Sequence, residues 1–164
     1  MLSRTKKNTP RVFILGACLC LALLWILVQA PDAVAQQNES IRWLSYAQTL
    51  EQAPKAGKPM LIFFNAPWCY ICKKMQRLVF PDPQLSAYLN QRYLAVEVDV
   101  TQEKRVAEVY KVNYLPTYII LTEQGKPALT LKGYFTSLQL LKALRFVAEG
   151  QHEKMTFQAY ESKE

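Results

Sequence analysis

Apolar positions along the chain alternate between helical and strand spacing. Ile41, Leu44, Ala47 and Leu50 fall on one helical face, so Ile41 to Ala53 reads as a helix that Pro54 and Gly57 end. Met60 to Phe64 is an unbroken apolar run of strand length, as expected of a strand buried on both faces. A turn leads from it into a helix that opens at Cys69, runs to about Val79 and stops before Pro81. Asp82 is placed to cap a short helix through about Asn90, with Pro83 at its first position. Tyr93 to Val100 reads as a second buried strand, and Gln102 to Tyr110 as a helix burying Val106, Val109 and Tyr110.

Beyond it, Leu115 to Leu121 is a strand that Pro116 opens, since an interior strand position would not tolerate proline. Gln124-Gly125-Lys126-Pro127 is a turn, and Leu129 to Lys132 its returning strand. Thr136 caps a final helix whose apolar face is Leu138, Leu141, Leu144, Phe146 and Val147. From Gly150 onward the sequence is polar and reads as a frayed tail, in which Met155, Phe157 and Tyr160 are the residues able to pack back. This order is that of an α/β fold, a mixed central sheet flanked by helices.

The N-terminus has a different pattern. Arg4, Lys6, Lys7 and Arg11 precede Val12 to Ala30, a run without charge, and Ala33-Val34-Ala35 has the form of a signal cleavage site. The run is long for a cleaved signal and almost long enough to span a bilayer, so residues 1–35 read as either a signal peptide or an uncleaved membrane anchor through residues 12–30. Both readings export the rest of the chain, to the periplasm or an equivalent outward-facing compartment. Cys18 and Cys20 read as apolar filler in that run. The organisation expected is therefore a leader at 1–35, one domain at 36–149 and a polar tail at 150–164.

Composition adds exclusions. Removing residues 1–35 leaves 129 residues, enough for one domain with its own core, and 16 bases against 12 acids, a formal charge of +4. That balance gives no reason to invoke nucleic acid. Beyond the leader the cysteines are Cys69 and Cys72, and the histidine is His152 in the polar tail, where it reads as solvated. Four zinc ligands are not available, which leaves a soft-ligand copper site of low coordination number as the metal alternative. A bridge closing so short a loop adds little stability, which argues against a purely structural disulfide.

The chemistry centres on Cys69-Tyr70-Ile71-Cys72. Two cysteines three apart on a helix share a face and lie within disulfide reach. At the helix N-terminus the unpaired N–H groups and the positive end of the macrodipole would stabilise a Cys69 thiolate, making Cys69 the better nucleophile. Cys72, one turn deeper, can attack a mixed disulfide on Cys69 and release a reduced substrate. The pair alone is a weak signal; the strand before it, Trp68, Lys73 and the later Leu115-Pro116-Thr117 sharpen it.

In those features the sequence resembles the thioredoxin superfamily, whose W-C-x-x-C-K site and distant proline match Trp68 to Lys73 and Leu115-Pro116-Thr117. It is similar to thioredoxin-like domains such as the C-terminal domain of bacterial transmembrane thiol:disulfide interchange proteins, where an F-x-D-P-x-[LV] pattern follows the active-site helix, here Phe80 to Leu85. The resemblance covers roughly Ile41 to Glu149. It implies a thioredoxin-like fold, catalytic Cys69 and Cys72, and a cis-Pro116 against the pair, which leaves the Leu115 backbone free to pair with an extended substrate. Trp68 would then cover the pair as an apolar lid or serve as a core residue. The redox-active disulfide is the only cofactor it implies.

One departure stands out. Many thioredoxins carry an aspartate six residues before the first cysteine, and here that position is Phe63. Glu97 and Asp99 on the neighbouring strand are candidates to take its place as proton acceptor, the alternative reading being solvated carboxylates at a strand end. Tyr70-Ile71 supplies no histidine between the cysteines, which points away from a strong oxidant. The expected function is an exported thiol:disulfide oxidoreductase, a reductase that takes electrons from a membrane donor of the interchange type and passes them to oxidised proteins. The alternatives are a disulfide-forming oxidase or isomerase, and a thioredoxin-fold copper-binding or chaperone module.

Overall fold

The computed structural model describes residues 40–163, so the expected leader and the first residues of the exported segment lie outside the described residues. Five strands form one mixed sheet: β1 (Trp43–Leu44), β2 (Met60–Asn65), β3 (Leu94–Asp99), β4 (Thr117–Leu121) and β5 (Pro127–Lys132), in the order β1-β3-β2-β4-β5. β2 lies at the centre, parallel to β3 and antiparallel to β4. From Leu61 to Ala66 every residue of that strand and its exit is buried, which is why its sequence is a continuous apolar run rather than an alternation. Each fully buried Leu, Ile or Phe there stabilises the fold by roughly 1.5–3 kcal/mol.

The helices are α1 (Tyr46–Ala56), α2 (Tyr70–Leu78), α3 (Pro83–Arg92), α4 (Lys104–Val109), α5 (Ser137–Ala148) and α6 (Phe157–Glu161). Strand alternation divides the core in two. Leu61, Phe63 and Ala95 face a layer built by α2, α3 and α5, whereas Ile62, Phe64, Val96 and Val98 face Ala107 of α4 and Tyr46 of α1. The resulting α/β sandwich has the mixed, helix-flanked sheet read from the sequence.

Several boundaries differ from the sequence expectation. Ile41 to Ala53 is not one helix: Trp43 and Leu44 pair parallel with Ala95 and Val96, and the helix starts only at Tyr46. A capping box sets that start, Gln48 N–H donating to Ser45 Oγ and Ser45 N–H to Gln48 Oε1. α1 runs through Pro54 to Ala56, and Gly57 stops it at φ 54°, a left-handed conformation suited to glycine. Its fully buried residue is Thr49, while Leu50 is exposed.

Two apolar residues assigned to buried helical faces also point outward. Val109 in α4 and Leu138 in α5 are 73% and 72% exposed. Each lies two positions, about 200° around the helix, from a residue that is buried, Ala107 and Leu140 respectively.

The segment after Gly150 is folded rather than frayed. A 3-10 turn at Gln151–Glu153 and α6 return to α5, where Phe157 and Tyr160 lie 5.3 and 5.2 Å from the buried Phe146 ring. His152 is drawn in with them, its ring 6.4 Å from Phe146 and Nδ1 buried without a hydrogen-bond partner among the described residues, so it is not a solvated tail residue. Among the described residues no helix is long and apolar enough to cross a membrane.

Candidate functional site

The parallel β2 and β3 end at the same edge of the sheet, and the chain leaves β2 through Asn65-Ala66-Pro67-Trp68 directly into α2. Cys69 is the N-cap: its N–H donates to the Ala66 carbonyl at 3.0 Å, and its own carbonyl accepts from Lys73 N–H at 3.2 Å. The Cys69 sulfur accepts the Cys72 N–H at 3.1 Å. It thus occupies the position that a serine or aspartate oxygen takes in an ordinary cap, facing the unpaired N–H groups at the positive end of the helix. Cys69 and Cys72 are joined by a disulfide, with their Cα atoms 5.3 Å apart.

Both cysteines are largely covered, Cys69 at 6% exposure and Cys72 at 1%. The surface around them is apolar and open. Trp68 is 71% exposed, so it is not a core residue; Tyr70 is equally open and Ile71 partly so. Lys73 extends to solvent, while Lys74 sits over the Tyr134 ring at 4.6 Å.

The Leu115–Pro116 peptide bond is cis, and Pro116 is buried at the start of β4. The Pro116 carbonyl accepts from Gly133 N–H at 2.9 Å, and Thr117 Oγ1 donates to the Tyr114 carbonyl at 2.7 Å. The segment is thereby held from both sides, while Leu115 makes no backbone hydrogen bond among the described residues. Leu115 packs on both core clusters, and Tyr114 beside it is exposed.

Phe63, at the position where an aspartate was the alternative, is fully buried among Phe80, Tyr118 and Trp43, with ring centroids at 4.9, 5.3 and 5.8 Å. The same cluster contains Cys72 and Met75, so Cys72 is buried against apolar side chains. The Tyr118 hydroxyl is buried there without a partner among the described residues, and burial pushes its phenol up from the usual value.

The two carboxylates suggested as acceptors have different surroundings. Glu97, the register partner of Phe63, accepts from Asn65 Nδ2 at 2.9 Å and from Gln76 Nε2 at 2.7 Å. Asp99 is occupied by Thr101, accepting from its N–H at 2.8 Å and its hydroxyl at 2.7 Å. Nearby, burial and then the Asp99 charge raise the Glu103 carboxyl.

Asn65 and Gln76 were not singled out from the sequence. Asn65 does end an otherwise apolar strand, and Gln76 lies four residues after Cys72, so polarity at those two spacings was the available signal. Among the described residues no group of three or more His, Cys, Asp or Glu side chains could hold a metal ion.

A thioredoxin-like domain model matches residues 46–148. A thioredoxin-like protein of Synechocystis is 29% identical over 104 residues, covering 63% of this chain and 92% of that protein. Thiol:disulfide interchange protein DsbD of Photorhabdus laumondii is 30% identical over 126 residues, which cover 72% of this chain but 21% of DsbD. Among solved structures, the DsbH oxidoreductase superposes with a TM-score of 0.61 at 21% identity, over 68% of this chain and 86% of its own.

Proposed function

We propose, from the premise that this chain belongs to the thioredoxin-like family of thiol:disulfide oxidoreductases, that it works outside the cytoplasm as a reductase of protein disulfides. The observation that carries this reading is the Cys69–Cys72 disulfide at the N-cap of α2, beside an open apolar rim. When the pair is reduced, the helix terminus favours a thiolate on Cys69 over one on the deeper, apolar-lined Cys72. Cys69 attacks the substrate disulfide and forms a mixed disulfide. Cys72 then attacks Cys69, closing the pair and releasing the substrate thiol.

Leu115 supports the substrate side of this reading. Its unpaired backbone, next to the cis-Pro116, is able to hydrogen-bond an extended segment of an oxidised protein by strand addition. Trp68 and Tyr70 supply apolar contact on the other side of the pair. In this reading Cys69 and Cys72 are catalytic, and Trp68, Leu115 and Pro116 bind the substrate.

The reducing direction rests on the absence of a histidine between the cysteines and on the burial of Cys72. A thiolate without unusual stabilisation leaves the disulfide favoured, so the potential lies nearer about −270 mV than about −120 mV. In an oxidising compartment such a couple needs a continuing supply of electrons, which a membrane donor of the thiol:disulfide interchange type would provide, residues 1–35 serving as export leader or anchor.

Equilibration of the pair with glutathione tests the direction, and thiol trapping in cells tests the steady state. A pair found reduced in cells, with a potential below about −200 mV, supports a reductase; a potential above about −150 mV makes it an oxidant instead. Cys69→Ser abolishes disulfide reduction, and Cys72→Ser accumulates mixed disulfides because the resolving thiol is gone.

A further inference from the structure

We propose that Glu97 is a positioning residue for the cysteine pair, tying the strand that enters the site to the helix that leaves it and holding Cys72 in its neutral thiol form. The inference rests on the redox reading of the pair. One oxygen, Glu97 Oε1, accepts from both Asn65 Nδ2 at 2.9 Å and Gln76 Nε2 at 2.7 Å. Asn65 is the last residue of β2, four before Cys69, and is buried; Gln76 is one turn after Cys72 on α2. The carboxylate therefore bridges both flanks of the disulfide.

Helix geometry places that charge close to the inner thiol. Residues four apart on a helix are surface neighbours, about 5–6 Å between Cβ atoms, and side chains lean toward the N-terminus. The Gln76 amide thus lies over the turn that carries Cys72, with the Glu97 carboxylate hydrogen-bonded to it. On the sheet, parallel pairing sets Glu97 beside Phe63, on the same face as Leu61 and Ala95, which belong to the cluster that lines Cys72. A negative charge there disfavours a thiolate at Cys72.

The charged groups around Glu97 are few. Asp99, on the same face of β3, is engaged by Thr101, and Glu103 follows at the start of α4. From α2 come Lys73 and Arg77, both exposed on either side of Gln76. β2 contributes the uncharged Phe63 and Asn65, and β1 the uncharged Trp43 and Leu44.

For the reaction, this keeps the nucleophilic role on Cys69 until the mixed disulfide exists. Cys72 then attacks the Cys69 sulfur: the Cys69–Cys72 bond forms, the bond from Cys69 to the substrate sulfur breaks, and the departing substrate sulfur takes up the proton that Cys72 releases. The pair is oxidised by two electrons and the substrate disulfide reduced by two. Without the carboxylate, Cys72 would ionise more readily and compete with Cys69 for the first attack.

Glu97→Gln tests this, because the glutamine carbonyl can accept both amide bonds while the charge is removed. The full chain, kept in mild detergent and reduced, is labelled with [3-13C]cysteine, and the Cys72 Cβ shift is followed against pH, with the Cys72→Ser spectrum giving the assignment. The expected result is a tenfold rise in the Cys72 thiolate fraction at fixed pH, so that its titration midpoint falls by about one pH unit, with the melting temperature unchanged. Glu97→Asp, which retains the charge, should stay within about 0.3 unit of the wild-type midpoint. Superimposable Cys72 titrations of the wild type and Glu97→Gln overturn the proposal, as does a fall in melting temperature without a shift in midpoint. Exchange of the wild-type pair with oxidised glutathione is measured alongside; its absence overturns the redox reading itself, and this proposal with it.

Discussion

Replacing Phe63 tests why the position beside the pair carries a ring. Its side chain is fully buried, and three aromatic rings surround it at 4.9 to 5.8 Å. A buried Phe→Ala change costs about 3–5 kcal/mol, and each aromatic contact adds roughly 0.5–1.5 kcal/mol beyond area. Phe63→Ala should therefore fall at the upper end, near 5 kcal/mol, a large part of the ~5–15 kcal/mol that holds a typical domain together. In urea, with a slope of about 1–3 kcal/mol/M, the midpoint should drop by roughly 2 M or more.

Phe63→Asp should cost at least as much at pH 7, because burial in this cluster strips the carboxylate of its hydration. Its folded pKa would rise above the unfolded value. The acid form is then favoured by folding, and the penalty is greatest above the folded pKa and shrinks as pH falls through it. Urea titrations of both variants at pH 7 and pH 5 decide the matter. A midpoint loss under 0.5 M for Phe63→Ala, or a Phe63→Asp variant as stable at pH 7 as at pH 5, would refute the packed aromatic cluster and with it the reason the carboxylate stands on β3.

The remaining predictions concern caps, an orphan hydroxyl and the C-terminal segment. Asp82 caps α3, accepting Gln84 and Leu85 N–H groups at 3.0 Å each; the Leu85 bond first, then those from Ser137 and Gln84, outweigh partial burial and hold its carboxyl below the usual value of 3.8. Asp82→Ala should cost about 1 kcal/mol near neutral pH, and, since the folded pKa is the lower one, the difference from wild type should disappear as pH falls from about 4 through that folded pKa in thermal scans. Tyr118→Phe removes a buried hydroxyl without a partner and keeps the rings, so it should raise the melting temperature, by about 3–4 °C for each ~1 kcal/mol gained; a drop of that size would mean the hydroxyl is satisfied. Truncation after Gly150 uncovers Phe146 and should destabilise the domain by roughly 2–3 kcal/mol in urea, whereas a frayed tail would be removed at no cost.

What the sequence by itself determined was local or obligate. An apolar run of strand length, such as Met60 to Phe64, fits a strand buried on both faces, and Asp82 before Pro83 can satisfy the first N–H groups of a helix wherever that helix packs. The helical spacing of Cys69 and Cys72 likewise requires nothing from the rest of the chain to bring the sulfurs together.

Tertiary structure decided everything that depends on a neighbour distant in sequence. Ile41 to Leu44 has helical spacing, yet Trp43 and Leu44 are extended because β3 offers them an open edge about 50 residues away. Val109 and Leu138 are apolar at helical positions that no other described element covers, and the C-terminal segment is ordered because Phe146 offers a face to Phe157 and Tyr160. At the site, the two amides that meet on Glu97 come from residues 32 and 21 positions away. No periodicity records that meeting: it exists because β2 and β3 are in parallel register and α2 folds back across them, placing an apolar ring and a carboxylate side by side behind the cysteine pair.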